Sequence, residues 1–134
     1  RLRCDWSSDV CSSDLSAYND SQGVTAEFNF NVLSRINAEL GANFNLKNFE
    51  HYSVYHEKEQ RIEMYLKSCT NQSVIIPKSD LLLNLEKNEL IHTEYSHKYR
   101  LSQIHNLLDD VGFELKHTWL DENKYFSLTL VSKI

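Results

Sequence analysis

In the segment Leu90–Ser96, the carboxylate of Glu94 and the hydroxyl of Ser96 stand two residues apart. On an extended strand that spacing puts both on one face, where a carboxylate accepts hydrogen bonds and a hydroxyl donates as well as accepts. Such a pair can read a small polar ligand. Taken alone, though, a strand glutamate is ordinarily a solvated charge, and a serine beside it is unremarkable. His51 and His56 are five residues apart, as are His92 and His97. An odd spacing on a strand sends the members of each pair to opposite faces, which argues against a metal site. Cys4, Cys11 and Cys69 are odd in number and lack a paired spacing, a usage that fits a reducing compartment better than a disulfide framework. The sequence contains no GxSxG elbow, no recognisable catalytic cysteine setting and no evident pair of acid and base carboxylates, so no residue is assigned a catalytic role.

The elements that must position these groups follow from the hydrophobic pattern. Val24, Phe28, Val32, Leu33, Ile36 and Leu40 recur at helical spacing and end at Gly41, which predicts a long amphipathic helix with a left-handed C-terminal cap. His51–His56 and the alternation of Ile62, Met64 and Leu66 predict two antiparallel strands joined by the polar turn EKEQ. Further strands are expected over Ser73–Ile76, bounded by Pro77, over Leu81, Leu83 and Leu85, and over Leu90–Ser96 returning from a turn at Lys87 and Asn88. The middle of the chain therefore reads as an antiparallel meander. Leu101, Ile104, Leu107, Leu108 and Val111 mark a second helix ending at Gly112, with Arg100 at its cap position and Ser102 as a partial substitute cap. Strands over Phe113–Leu120 and Tyr125–Val131 follow, around the turn DENK.

With 134 residues, 41% of them hydrophobic, the chain has room for one ordinary globular core. A formal net charge of -5 argues against nucleic acid or an anionic membrane surface as partner. No apolar run approaches the roughly 20 residues of a membrane span, and no signal peptide is recognisable; a cytoplasmic protein, and a monomer, is the expectation. Only Gly23, Gly41 and Gly112 are present, so no glycine-rich phosphate or nucleoside loop can be placed. The opening residues stand apart. DWSSDVCSSDL, Asp5–Leu15, has no structural period and resembles a translated sequencing adapter, a natural Ser/Asp-rich disordered tail being the alternative; residues 1–15 are accordingly left out of the fold reasoning.

Three stretches together, AYNDSQGVTAEFNFNVLSRINAELGANF, RIEMYLKS and IHTEYSHKYRLSQI, resemble the histidine-specific methyltransferases of ergothioneine biosynthesis, from about Ala17 to the end of the chain. The resemblance implies an α+β fragment. Residues 16–98 would be the substrate-binding domain, an antiparallel sheet with a long helix. Residues 99–134 would be the last helix and antiparallel strand pair of a Rossmann-like methyltransferase domain. The strands that hold S-adenosylmethionine would lie upstream of Tyr18, and this chain by itself would be inactive. For the site, the resemblance implies that Tyr18 contacts the carboxylate of L-histidine, that Glu94 and Ser96 recognise its imidazole, and that Met64 lines the same pocket. A carboxylate and a hydroxyl on one strand face can meet the two ring nitrogens, and an unbranched thioether packs well against a flat ring. Without the resemblance, Met64 would read as core filler and Tyr18 as a staple onto the helix. Phe28, Asn29 and Asn31 are read as helix packing and polar tethering, while Tyr95 and His97 should face away from Glu94. Two other readings stand beside this one. They are a related methyltransferase with a different amino-acid substrate and a small-molecule binding module without chemistry, which would be expected to start at its own Met rather than at Arg1.

Overall fold

The computed structural model describes residues 15–134. The adapter-like run apart from Leu15, and with it Cys4 and Cys11, lies outside the described residues. They form two compact units, one running to His97 and the other from Lys98 to Ile134. The fold is α+β with antiparallel strand pairing throughout.

The first unit contains helix α1 (Val24–Leu40), a short 3-10 turn (Leu46–Asn48) and strands β1 (Phe49–His56), β2 (Arg61–Ser68), β3 (Gln72–Ile76), β4 (Leu81–Leu85) and β5 (Leu90–His97). Asp20 starts α1 from outside: its two carboxylate oxygens accept from the amides of Val24 and Thr25, each at 2.9 Å. Two of the unpaired donors of the first turn are thereby satisfied next to the positive end of the helix. Gly41, at φ 71°, ends the helix in the left-handed conformation that only glycine adopts without strain.

The buried side of α1 carries Asn29 and Leu33, with Phe30, Ile36 and Leu40 packed against the core. Val24, Phe28 and Val32 are instead 61%, 64% and 40% exposed, which corrects the single stripe drawn from the sequence and the packing role given to Phe28. Their spacing of four makes a second apolar stripe beside the buried one. Leu33, Leu66 and Val74 are essentially inaccessible at the centre of the core, with Phe44, Phe49, Ile76 and Leu85 around them. Each fully buried aliphatic side chain of this size contributes about 1.5–3 kcal/mol.

The expected meander is corrected in one respect. Among the described residues, strands β1, β2 and β5 form one sheet in that order, whereas β3 and β4 pair only with each other. The turn at Asn88 exists, with φ 72°, but it hands the chain to β2: Asn88 donates to the Ser68 carbonyl at 2.7 Å and Ser68 donates to that of Glu89 at 2.9 Å. Pairing with β2 sets Ile91 opposite the fully buried Leu66 and adds its side chain to the core.

A β-bulge interrupts the β2–β5 ladder. Met64 opposes Glu94 and Tyr65 opposes His92, so Thr93 is an extra residue, and its hydroxyl donates to the Met64 carbonyl at 3.0 Å. An inserted residue resets the alternation of a strand. Ile91 and Glu94, three positions apart, therefore share the inward face. For the same reason His92 and His97 share the outward face, contrary to the simple parity rule, and their rings flank Tyr95 with centroids 3.9 and 6.0 Å from it. In β1, which has no bulge, His51 turns inward opposite Leu66 while His56 turns outward toward Glu63.

The second unit is α2 (Leu101–Asp110) with strands β6 (Phe113–Leu120) and β7 (Ser127–Lys133). The side chain of Gln103, not Ser102, caps the helix by accepting from the Arg100 amide at 2.7 Å. The turn between the strands is longer than DENK, because Asp121 accepts from the amides of Asn123 at 3.1 Å and Phe126 at 2.7 Å. Tyr125 and Phe126 are thus held in the turn rather than in β7.

Candidate functional site

The inward face of the first unit's sheet is built from cross-strand rows. Ser53, Met64 and Glu94 form one row, and Tyr55, Ile62 and Ser96 the next. Ile62 and Met64 are buried, at 0% and 3% exposure, while Glu94 and Ser96 on the edge strand β5 remain partly accessible. The helical turn of residues 15–18 reaches this face through Tyr18, whose carbonyl lies 2.9 Å from Nε2 of the inward-facing His51. From the same turn the Tyr18 phenol donates to Oγ of Ser96 at 2.7 Å.

All four residues singled out in the sequence meet at this place. Tyr18 touches Ser96 directly, Met64 and Glu94 are cross-strand partners, and Glu94 and Ser96 share a face as their spacing requires. Tyr95 and His97 do face away, opposite Glu63 and Arg61. Among the described residues Glu94 forms no ion pair, so a partly accessible carboxylate and two hydroxyl groups bound a small polar surface floored by a thioether. That combination suits a flat ligand carrying both hydrogen-bond donors and acceptors.

Three further inward residues belong to the same neighbourhood. Asn29 donates to the Tyr65 carbonyl at 3.0 Å and lies 3.0 Å from Nδ1 of His51, whose Nε2 is 2.9 Å from the Tyr18 carbonyl. Ser53 is 7% exposed, and its hydroxyl has no partner among the described residues. Asn29 is a polar tether, as expected; His51 was weighed only as a metal ligand, and Ser53 was not singled out. The inward alternation of Phe49, His51 and Ser53 was the available signal.

Another glutamate of this sheet, Glu63, differs from Glu94. Glu63, on the outward face, is 5% exposed and fully engaged. Arg61 contacts its Oε1 at 2.7 Å, and Tyr65 and His56 reach its Oε2, His56 at 3.2 Å. The hydrogen bond from Tyr65, followed by that from Arg61, holds the Glu63 carboxyl below the usual carboxylate range against the opposing effect of burial. The same bond pushes the Tyr65 phenol up to about 12. Arg61 also lies 4.1 Å from the centroid of the Tyr95 ring. Glu63 is thus consumed in a structural network, whereas Glu94 forms no ion pair among the described residues.

Among the described residues no three His, Cys, Asp or Glu side chains are grouped to hold a metal ion, and no helix is long and apolar enough to cross a membrane. Gly23, Gly41 and Gly112 all have positive φ and stand at helix ends. None forms a loop in which backbone amides could cradle a nucleoside, so the described residues do not themselves fit S-adenosylmethionine.

The family model described as histidine-specific, SAM-dependent methyltransferase matches residues 13–133. The chain belongs to that family of methyltransferase enzymes. It is 40% identical over 114 residues to the histidine N-alpha-methyltransferase of Mycolicibacterium smegmatis, an alignment covering 85% of this chain and 36% of the relative. To the histidine N-alpha-methyltransferase of Mycobacterium tuberculosis it is 38% identical over 117 residues, 87% of this chain and again 36% of the relative. The chain thus spans just over a third of the length of the curated relatives it matches.

Proposed function

We propose that the full-length protein methylates the α-amine of L-histidine using S-adenosylmethionine, and that this chain contributes the surface that holds the amino acid. The meeting of Tyr18 with Ser96 beside Glu94, from distant parts of the chain, is the observation that carries the reading. Glu94 accepts from one imidazole nitrogen, and Ser96 serves the other. Met64 packs beneath the ring, and the Tyr18 phenol donates to the carboxylate. Binding in this way exchanges the Tyr18–Ser96 hydrogen bond for one from each group to the ligand.

Methyl transfer to an amine requires a neutral nitrogen lone pair in line with the donor, so the main task of the protein is positioning. When bound, S-adenosylmethionine supplies an electrophilic methyl group. Holding the ring and the carboxylate of histidine at opposite ends leaves its amine as the group presented for reaction. Repetition on the same nitrogen gives the trimethylated betaine, the form used in ergothioneine biosynthesis. The donor is held by parts of the full-length protein that this chain does not span, and the chain alone is therefore inactive. The uncombined thiol of Cys69 fits a cytoplasmic setting, and a monomer is the simplest assembly.

Calorimetric titration of L-histidine and S-adenosylmethionine, separately and together, into the full-length protein tests this. The expected outcome is histidine binding that weakens in Glu94→Ala, in a protein that methylates the amino acid. Donor binding without histidine binding would discard the substrate and keep the methyltransferase; binding of neither would overturn the reading.

A further inference from the structure

His51 is joined to the ligand surface through Tyr18 alone among the residues assigned to histidine binding. Asn29, 1% exposed, presents one amide nitrogen to two acceptors: the Tyr65 carbonyl at 3.0 Å and Nδ1 of His51 at 3.0 Å. An amide NH2 has two hydrogens, one for each. Rotating the amide would set its oxygen against the Tyr65 carbonyl, so the main chain of β2 fixes the orientation of Asn29. Asn29 in turn fixes the tautomer of His51, because a nitrogen that accepts from the amide carries no proton. The proton sits on Nε2, which donates to the Tyr18 carbonyl at 2.9 Å.

Tyr18 is therefore gripped at two points. Its carbonyl is held by His51 on β1, and its phenol reaches Ser96 on β5, the strands that flank β2. Asn29 keeps this arrangement although its Oδ1 is buried and has no partner among the described residues, a burial that is unfavourable by itself. We infer that Asn29 and His51 form a relay that positions Tyr18, setting the place of its phenol relative to Glu94 and Ser96 and so the affinity for the substrate carboxylate. His51 is a positioning residue and does not touch the ligand. The inference rests on the proposed role of Tyr18 and extends it.

Two amide replacements separate the atoms of the ring. In His51→Gln the longer side chain can place an N–H where Nε2 donates, whereas in His51→Asn the amide remains beside Asn29 and falls short of Tyr18. L-histidine and, separately, S-adenosylmethionine are titrated calorimetrically into the full-length wild type, both variants, Tyr18→Phe and the His51→Asn/Tyr18→Phe double variant. The expected result is about tenfold weaker L-histidine binding in His51→Asn, the size of one lost hydrogen bond. His51→Gln should stay near wild type, donor affinity should be unchanged in all, and the double variant should be no weaker than Tyr18→Phe alone. Equal affinities for His51→Asn and His51→Gln, or an undiminished cost of His51→Asn on top of Tyr18→Phe, would overturn the relay while leaving the role of Tyr18 standing. A Tyr18→Phe protein that binds L-histidine like the wild type would remove that role and the relay with it.

Discussion

The phenol of Tyr18 donates a hydrogen bond to the hydroxyl of Ser96 at 2.7 Å, across 78 positions of sequence. It brings a residue ahead of the long helix into contact with the last strand of the sheet. The two hydroxyl groups satisfy one another, so neither has to be stripped of water with nothing in return. Glu94, two residues before Ser96, forms no such bond among the described residues. The surface proposed for the ligand is therefore asymmetric: a mutually bonded hydroxyl pair lies beside a carboxylate that forms no ion pair among the described residues.

That asymmetry makes Glu94→Gln the most informative single change at the site. Glutamine keeps the shape and one acceptor oxygen but loses the charge that strengthens a hydrogen bond from an imidazole N–H. Hydrogen bonds to charged groups are worth about 1.5–3 kcal/mol, so L-histidine affinity should fall roughly ten- to hundredfold. Calorimetry on the full-length protein reads this directly, with S-adenosylmethionine affinity as the control that should not move.

Glu63 should govern acid and alkaline stability instead. Its folded-state pKa lies below the ordinary value of 4.5, with the Tyr65 hydrogen bond as the leading cause. The stabilisation is therefore present above that ordinary value and is lost as the pH falls through the depressed one. Tyr65 is pushed from 10.0 to about 12, so its share is present below pH 10 and is lost as the pH rises through about 12. Glu63→Gln should lower stability at neutral pH by about 2 kcal/mol, the scale of a hydrogen bond to a charged group. It should also flatten both limbs of a plot of melting temperature against pH. A variant that melts like the wild type at pH 7 but keeps the wild-type acid limb would contradict this account.

The sequence made some of this architecture legible and hid the rest for identifiable reasons. Gly41, the alternation through Ile62, Met64 and Leu66, and the pairing of Glu94 with Ser96 are local signals, and each has its expected structural counterpart. The bulge at Thr93 is not local, since its cause lies in the partner strand, where Leu66 takes Ile91 and Met64 takes Glu94. Nothing in HTEYSH announces it, and it reversed the expected separation of His92 and His97. The partner of β5 was missed because turn signals at Asn88 say that the chain reverses, not which strand receives it. On α1, two adjacent apolar stripes satisfied the same period, and only the packed core distinguishes Leu33 from Val32.

The end of α1 offers a test of a purely conformational cost. At Gly41 the backbone has φ 71°, and a methyl group placed there would meet no atom within 4 Å. Gly41→Ala should therefore lose stability through the left-handed backbone alone, by about 1 kcal/mol. Thermal unfolding of the full-length protein should show a lowered melting temperature with L-histidine affinity unchanged. A loss several times larger would mean that the turn after α1 has to rearrange.

Met64 divides the role of core filler from that of ligand floor. It is 3% exposed, between Ser53 on one neighbouring strand and Glu94 on the other. Leucine has nearly the same volume, and exchanges of this kind in a core cost less than about 1.5 kcal/mol. If Met64 only fills space, Met64→Leu should leave L-histidine binding as it was. If its flexible, polarisable thioether lies against the imidazole, the branched side chain loses a sulfur–aromatic contact worth about 0.3–1.5 kcal/mol, and affinity should fall roughly two- to tenfold. We expect the second outcome, with a melting temperature close to that of the wild type. The decisive comparison is with Leu66→Ala, one inward position further along β2. Leu66 is fully buried in the core, and its truncation should cost about 2–5 kcal/mol of stability with little effect on the affinity of the protein that remains folded. Affinity changing with Met64 and stability changing with Leu66 would separate the two functions of a single strand face.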